Sequence, residues 1–183
     1  VKIKGNEKTE TYDGTEKTVT GYTVVSISNP LYAEGNISFT GKAEAKGTNA
    51  GGYQMGLKKA DFANTSTNFT NVKFEVEDGK LTVSPREITL TSATAEKVYD
   101  GTALTNDTVT VTDGSFVTGE GAAYEVTGSQ TDAGESENTF TYELNEGTNV
   151  NNYTIKIVYG KLKVTPVTQA VVVKIKGHTG SAK

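Results

Sequence analysis

The chain repeats itself, and that self-similarity constrains it more than any single motif. Tyr12-Asp13-Gly14-Thr15 recurs as Tyr99-Asp100-Gly101-Thr102, and Thr48-Asn49-Ala50-Gly51 returns as Thr131-Asp132-Ala133-Gly134. Asp78-Gly79-Lys80-Leu81-Thr82-Val83-Ser84-Pro85 returns as Tyr159-Gly160-Lys161-Leu162-Lys163-Val164-Thr165-Pro166. Three landmarks in one order and at nearly one spacing mark tandem modules. The 183 residues, which at about 150 per domain would suggest one domain, are therefore read as two units, 1–85 and 86–166. A longer period overlies these. Val1-Lys2-Ile3-Lys4-Gly5 reappears as Val173-Lys174-Ile175-Lys176-Gly177, so residues 167–183 read as the truncated first strand of a further repeat, in a piece of a longer protein that alternates two repeat types.

Within each unit the apolar residues alternate, the pattern of a half-buried strand. Val72, Phe74 and Val76 alternate with polar neighbours, Asp78-Gly79 follows, and Leu81 and Val83 alternate beyond it. Asp-Gly between two such runs predicts a hairpin. The second unit predicts another, with Tyr153, Ile155 and Ile157, then Tyr159-Gly160, then Leu162 and Val164. Further strands are expected over 22–28, 37–45, 53–57, 88–91, 109–112, 124–127 and 140–144. One or two helical turns are allowed within Met55 to Asn64. The class is therefore all-β, as two tandem small domains, β-sandwich-like or β-grasp-like, since a C-terminal hairpin fits both. Pro85-Arg86 and Pro166-Val167 close the units without a Gly/Ser linker, which predicts an elongated, semi-rigid rod of domains set end to end.

Composition removes several functions. A formal charge of −4 without a basic cluster lacks the electrostatic footprint of a nucleic-acid binder. No apolar run approaches the roughly 20 residues of a spanning helix, so no membrane insertion is expected. Without cysteine there is no disulfide, zinc thiolate or thiol nucleophile. Glu75 and Glu77 share one strand face, as do Glu135 and Glu137, whereas a glycosidase needs carboxylates opposed across a cleft; both pairs read as solvated surface. His178 is the sole histidine and cannot build a triad or a metal cluster by itself. No enzyme, cofactor or metal site is expected.

Other features have structural readings. Asp13-Gly14 and Asp100-Gly101 lack the further oxygens of a calcium loop and read as turns, anchored by Tyr12 and Tyr99. Gly47 to Gly52 lacks the Lys-Ser/Thr of a phosphate loop and reads as a surface loop. Asn-x-Ser/Thr triplets at Asn36, Asn64, Asn68, Asn106 and Asn152 are common in so Thr-rich a chain. Lys2, Lys4, Asn71, Asn152 and the strand glutamates are raw material for a Lys–Asn or Lys–Asp amide cross-link, but no spacing singles out a triplet. Most of the tyrosines read as core, and Tyr32, in Asn29-Pro30-Leu31-Tyr32, is the best candidate for an exposed ring that contacts a ligand.

At its landmarks the chain resembles the MBG/YDG group of repeats, found in tandem in large surface proteins of bacteria and described as mucin-binding-like or adhesin repeats. The matching residues are Tyr-Asp-Gly-Thr at 12–15 and 99–102, Thr-Asn/Asp-Ala-Gly at 48–51 and 131–134, and Gly-Lys-Leu-x-Val at 79–83 and 160–164. The first unit departs from the pattern at Asn29 to Tyr32 and at Lys58 to Ser66. The resemblance implies an extracellular place on the bacterial surface or cell wall, stacking against neighbouring repeats, and adhesion or display. It implies either a stalk that presents a distal binding domain or a low-affinity module for mucin glycans or a host surface protein, acting through avidity. By itself the piece is expected to be a monomer, and no catalytic residues come with the resemblance.

Overall fold

The computed structural model describes residues 1–177 and 180. Among them the regular structure is strand and short 3₁₀ turn, with no α-helix. The first half holds β1 Lys2–Gly5, β2 Glu7–Thr11, β3 Lys17–Thr20, β4 Tyr22–Ser26, β5 Ile37–Phe39, β6 Glu44–Gly47, β7 Gly51–Gln54, β8 Phe62–Asn64, β9 Glu75–Glu77 and β10 Lys80–Ser84. The second holds β11 Arg86–Ser92, β12 Ala95–Val98, β13 Val109–Asp113, β14 Ala122–Val126, β15 Gly134–Glu137, β16 Phe140–Leu144, β17 Tyr153–Val158 and β18 Lys161–Thr165.

The pairings repeat as the sequence does. Sheets β4-β1-β9 and β2-β10-β7 in the first half answer to β13-β11-β17 and β12-β18-β15 in the second, and the pair β5-β8 answers to β14-β16. The pair β3-β6 is reduced in the second half to a single bridge, Leu104 to Gln130. The protein is thus all-β, with its sheets in two similar halves. By packing the chain forms two compact units. The larger comprises Val1–Leu90, Val111–Ala123 and Tyr142–Val158, and the smaller Thr91–Thr110, Tyr124–Thr141 and Tyr159 onward. The repeat boundary at Pro85 therefore lies inside the larger unit.

Alternation sets the registers. In the parallel ladder of β1 with β9, Ile3 faces Val76 while Lys2 meets Glu75 and Lys4 meets Glu77. Ile3 is buried, and the charges pair outside it at 3.6 and 2.9 Å. Leu81 and Val83 of β10, like Leu162 and Val164 of β18, point inward between exposed or half-buried neighbours. In the larger unit Phe62 gathers Tyr22, Phe39 and Phe74 at centroid distances of 5.0, 4.9 and 6.1 Å.

The two predicted hairpins are absent. β9 pairs with β1, whereas β10 pairs with β2 and β7, so Asp78-Gly79 carries the chain from one sheet into the other. Gly79 and Gly160 both lack the positive φ that a tight hairpin turn would require. What they supply is space. A Cβ on Gly5 would stand 2.3 Å from the Gly79 nitrogen, and one on Gly160 would stand 2.4 Å from the carbonyl oxygens of both Ser92 and Ala93. The chain crosses between sheets twice, side by side, at Gly5-Asn6 and at Asp78-Gly79. The Asp78 carboxylate fixes the second crossing by accepting from the backbone N–H groups of Gly56, Leu57 and Gly79. In the smaller unit the hydroxyl of Ser92 accepts from Gly160 N–H at 3.0 Å and donates to the Asn138 carbonyl at 2.5 Å.

Three other expectations change in detail. The run 37–45 divides into β5, which pairs with β8, and β6, which pairs with β3. The helical option in 55–64 is one 3₁₀ turn, Lys59–Asp61. Residues 167–177 form no strand, and Val171, Val172, Val173 and Ile175 are exposed. The same pentapeptide at the N-terminus is a strand because β4 and β9 flank it; without partners the ladder hydrogen bonds cannot form.

Candidate functional site

The two Tyr-Asp-Gly-Thr turns are built alike. Asp13 Oδ1 accepts from Thr15 N–H at 2.9 Å and from the Thr15 hydroxyl at 2.6 Å, and Asp100 Oδ1 accepts from Thr102 N–H and hydroxyl at 2.9 and 2.8 Å. Gly14 and Gly101 both sit at φ +82°, a conformation that favours glycine. Each Asp also pairs with a lysine, reached from opposite directions along the chain: Lys17 follows Asp13, whereas Lys97 precedes Asp100. The lysine first, and then the threonine, hold both carboxyls well below the usual carboxylate range. The carboxylates that could have begun a calcium loop are thus engaged within their own turns, the structural reading of Asp13-Gly14 and Asp100-Gly101.

Around the first turn the motifs converge. Tyr12 is 4% exposed and its hydroxyl donates to Glu120 Oε1 at 2.6 Å. The Tyr153 hydroxyl donates to the other oxygen of the same carboxylate and accepts from Val117 N–H at 2.9 Å. The Tyr12 and Tyr153 rings meet edge to face at 5.7 Å, with Phe116 against Tyr153 at 5.1 Å. Gly14 lies so close to Val117 that a Cβ there would be 2.6 Å from its Cγ1. Beside this, Asn152 donates to Asn49 Oδ1 at 2.9 Å and accepts from Ala50 N–H at 2.8 Å. Burial, and then the bond to Glu120, raises both tyrosines, Tyr153 to about 12. Two motifs of the first repeat, Tyr-Asp-Gly-Thr and Thr-Asn-Ala-Gly, thus form one patch. Phe116 to Glu120 and Asn152-Tyr153 of the second repeat cover it, all within the larger compact unit.

The same patch on the second repeat is open. Tyr99 is 42% exposed, and a Cβ on Gly101 would meet nothing within 4 Å. Asp132, Ala133 and Gly134 are exposed, and the last two line a shallow groove with Glu135, Lys163 and Pro166.

Tyr32 corrects its expectation. It is 5% exposed, with its hydroxyl 2.9 Å from the Asn36 carbonyl and 3.0 Å from Asn64 Oδ1, and Phe69 edge-on at 5.3 Å. The turn at Asn29, which accepts from Tyr32 N–H through its carbonyl and from Leu31 N–H through its side chain, leaves Leu31 outside and folds Tyr32 inward. The Asn64 amide donates in turn to the Ser66 and Phe69 carbonyls, so the two departures of the first unit pack on one another.

The remaining candidates stay apart. Glu75 and Glu77 are ion-paired to Lys2 and Lys4, and Glu135 to Lys161. Asn152, the cross-link and glycosylation candidate, is 1% exposed with its amide occupied by Asn49 and Ala50. Gly47 has the Tyr53 ring against it, so part of the Gly-rich run is packing. His178 lies outside the described residues. Among the described residues no three His, Cys, Asp or Glu side chains gather as a metal-ligand set. No protein-family model matches the chain, and no curated protein and no solved structure matches it.

Proposed function

We propose that this chain is a structural spacer, two repeats from the stalk of a bacterial cell-surface adhesin-like protein that holds a distal binding domain away from the cell wall. The observation that carries the reading is the use made of the recurring motif. Tyr12, Gly14, Asn49 and Ala50 contact the following repeat through Val117, Glu120, Asn152 and Tyr153. A carboxylate bonded to two phenols with their rings crossed has one favoured geometry and resists bending, because hydrogen bonds to a charged group are among the stronger ones. Residues that recur for packing repeat on repeat serve extension better than recognition. The alternative, a weak mucin or host-protein module, had Tyr32 as its aromatic, and that ring is buried.

The test is a pair of measurements. Spin labels at Lys42→Cys and Glu143→Cys, both exposed positions, should give a narrow distance distribution that broadens in Glu120→Ala. The same chain should show no saturable, fold-dependent binding to immobilised mucin or a glycan panel at high micromolar concentration. A broad distribution in the parent chain, or saturable binding lost on unfolding, would overturn the spacer reading.

A further inference from the structure

We propose that the exposed Tyr99 patch of the second repeat is a docking surface for the first repeat of a second copy of this chain, joined in the manner already seen around Tyr12. The inference rests on the equivalence of the repeats and not on the spacer reading, so either can fail without the other.

Each partner in the existing contact has an unused counterpart. On the receiving side, buried Tyr12 corresponds to exposed Tyr99, Gly14 against Val117 corresponds to Gly101 in open space, and half-buried Ala50 corresponds to exposed Ala133. On the covering side, Asn152-Tyr153 leads into β17 as Asn71-Val72 leads towards β9. Glu120-Gly121 stands ahead of β14 as Glu34-Gly35 stands ahead of β5. Asn152 is 1% exposed, whereas Asn71 and Glu34 are exposed. Asn71 and Val72 also line an open groove of about 430 Å³ at the end of the β4-β1-β9 sheet, floored by Tyr32 and Phe69.

The chemistry of the two open faces matches. Asn71 can donate to the Asp132 carboxylate and accept from Ala133 N–H, as Asn152 does with Asn49 and Ala50. Glu34 can accept from the Tyr99 hydroxyl as Glu120 does from Tyr12. Asp in place of Asn49 suits this pairing, because a carboxylate accepts from an amide N–H₂ in one orientation only. Val72 replaces Tyr153 and removes a ring, and half-buried Phe69, which lines the same groove, offers an apolar surface in its stead. The contact is heterologous, one face giving and the other receiving, so copies add head to tail without the self-complementary patch of a two-fold dimer. In separate chains it is weak, because it lacks the effective concentration that covalent linkage provides.

The natural lack of cysteine makes cross-linking a clean test. Asp132→Cys and Asn71→Cys variants of the 183-residue chain, distinguishable by mass, are mixed at about millimolar concentration, the range of short-linker effective concentrations, and oxidised. Asn49→Cys/Asn152→Cys, placed on the existing contact, calibrates the rate expected of docked thiols. Docking predicts the Asp132–Asn71 heterodisulfide several-fold above its statistical share, and a return to the statistical share when Tyr99→Ala is added to the Asp132→Cys chain. Tyr99 is exposed, and far-ultraviolet dichroism verifies that this variant folds. A statistical product mixture, or an excess unchanged by Tyr99→Ala, would overturn the proposal.

Discussion

Gly14 and Gly101 occupy one motif and share one backbone conformation, yet their surroundings differ, and replacing each with alanine separates the two effects. At φ +82° an L-residue costs about 1 kcal/mol relative to glycine, and this term is common to both sites. A Cβ at position 101 meets nothing within 4 Å, whereas one at position 14 would fall 2.6 Å from Val117 Cγ1. That separation forces a shift, and overpacking of this kind costs about 1–3 kcal/mol more. Gly101→Ala should therefore lose about 1 kcal/mol and Gly14→Ala about 2–4 kcal/mol, with Tm falling about 2–4 °C per kcal/mol for a chain of this size. Urea unfolding followed by tyrosine fluorescence measures both. Adding Val117→Ala to Gly14→Ala removes the obstructing methyl, so the double variant should be more stable than the sum of the single losses, with a coupling of about 1 kcal/mol or more. Equal losses at the two glycines, or simple additivity with Val117→Ala, would refute the claim that this turn is packed against the second repeat.

Three further outcomes follow from the described geometry. Gly5→Ala places a Cβ against the Gly79 backbone at 2.3 Å, where neither strand can yield without breaking its ladder, and should cost about 3 kcal/mol or more, read as an early unfolding transition in urea. Ser92→Ala leaves Gly160 N–H without its buried acceptor and should cost about 1–3 kcal/mol by the same assay. Tyr153, raised to about 12 by burial and then by Glu120, keeps its proton when the unfolded chain has lost it. Its contribution to stability is therefore complete below pH 10, the ordinary tyrosine value, and is lost as pH rises from 10 to 12. A plot of Tm against pH should fall across that window, and phenolate absorbance should show Tyr153 titrating earlier in Glu120→Gln; a flat plot would contradict the assignment.

The strands were legible where a short apolar alternation stands between turn residues. β4 and β16 lie where the pattern puts them, and the duplication of motifs foretells the duplication of sheets. Partners were not legible. Val76 and Leu81 alternate as the arms of a hairpin would, but alternation records which face is buried and not which strand lies alongside. β1 and β2, distant in sequence, outcompete the neighbour because the parallel ladders set half-buried Val76 against buried Ile3 and place Lys2 and Lys4 on Glu75 and Glu77. Gly79 misled for the same reason, since glycine also marks sites where another backbone approaches closely. Of the candidate site, the Asp-Gly turns were readable and Tyr12 was placed as their anchor. Glu120 carried no local signal, and Asn152 registered only as one of five Asn-x-Ser/Thr triplets and as raw material for an amide cross-link. The available clue was the alignment of Asn71-Val72 with Asn152-Tyr153, which marks an asparagine that the two repeats share. Tyr32 was misplaced because a Pro-containing insertion suggests a protruding loop, while an asparagine beside it can fold the next aromatic back inside.

The side-by-side crossing of strands at Gly5 and Gly79 also decides how the first repeat answers tension. Its opening strands β1 and β2 run parallel to its closing strands β9 and β10. Traction on the two ends of the repeat therefore pulls the opening and closing strands past one another along their lengths. Every rung from Lys2–Glu75 to Thr11–Ser84 then bears load at once, in shear, and no rung can open before the others as in a zipper. The second repeat sets β12 parallel to β18 in the same sense, so a pull transmitted through Pro85 meets a second clamp of the same design.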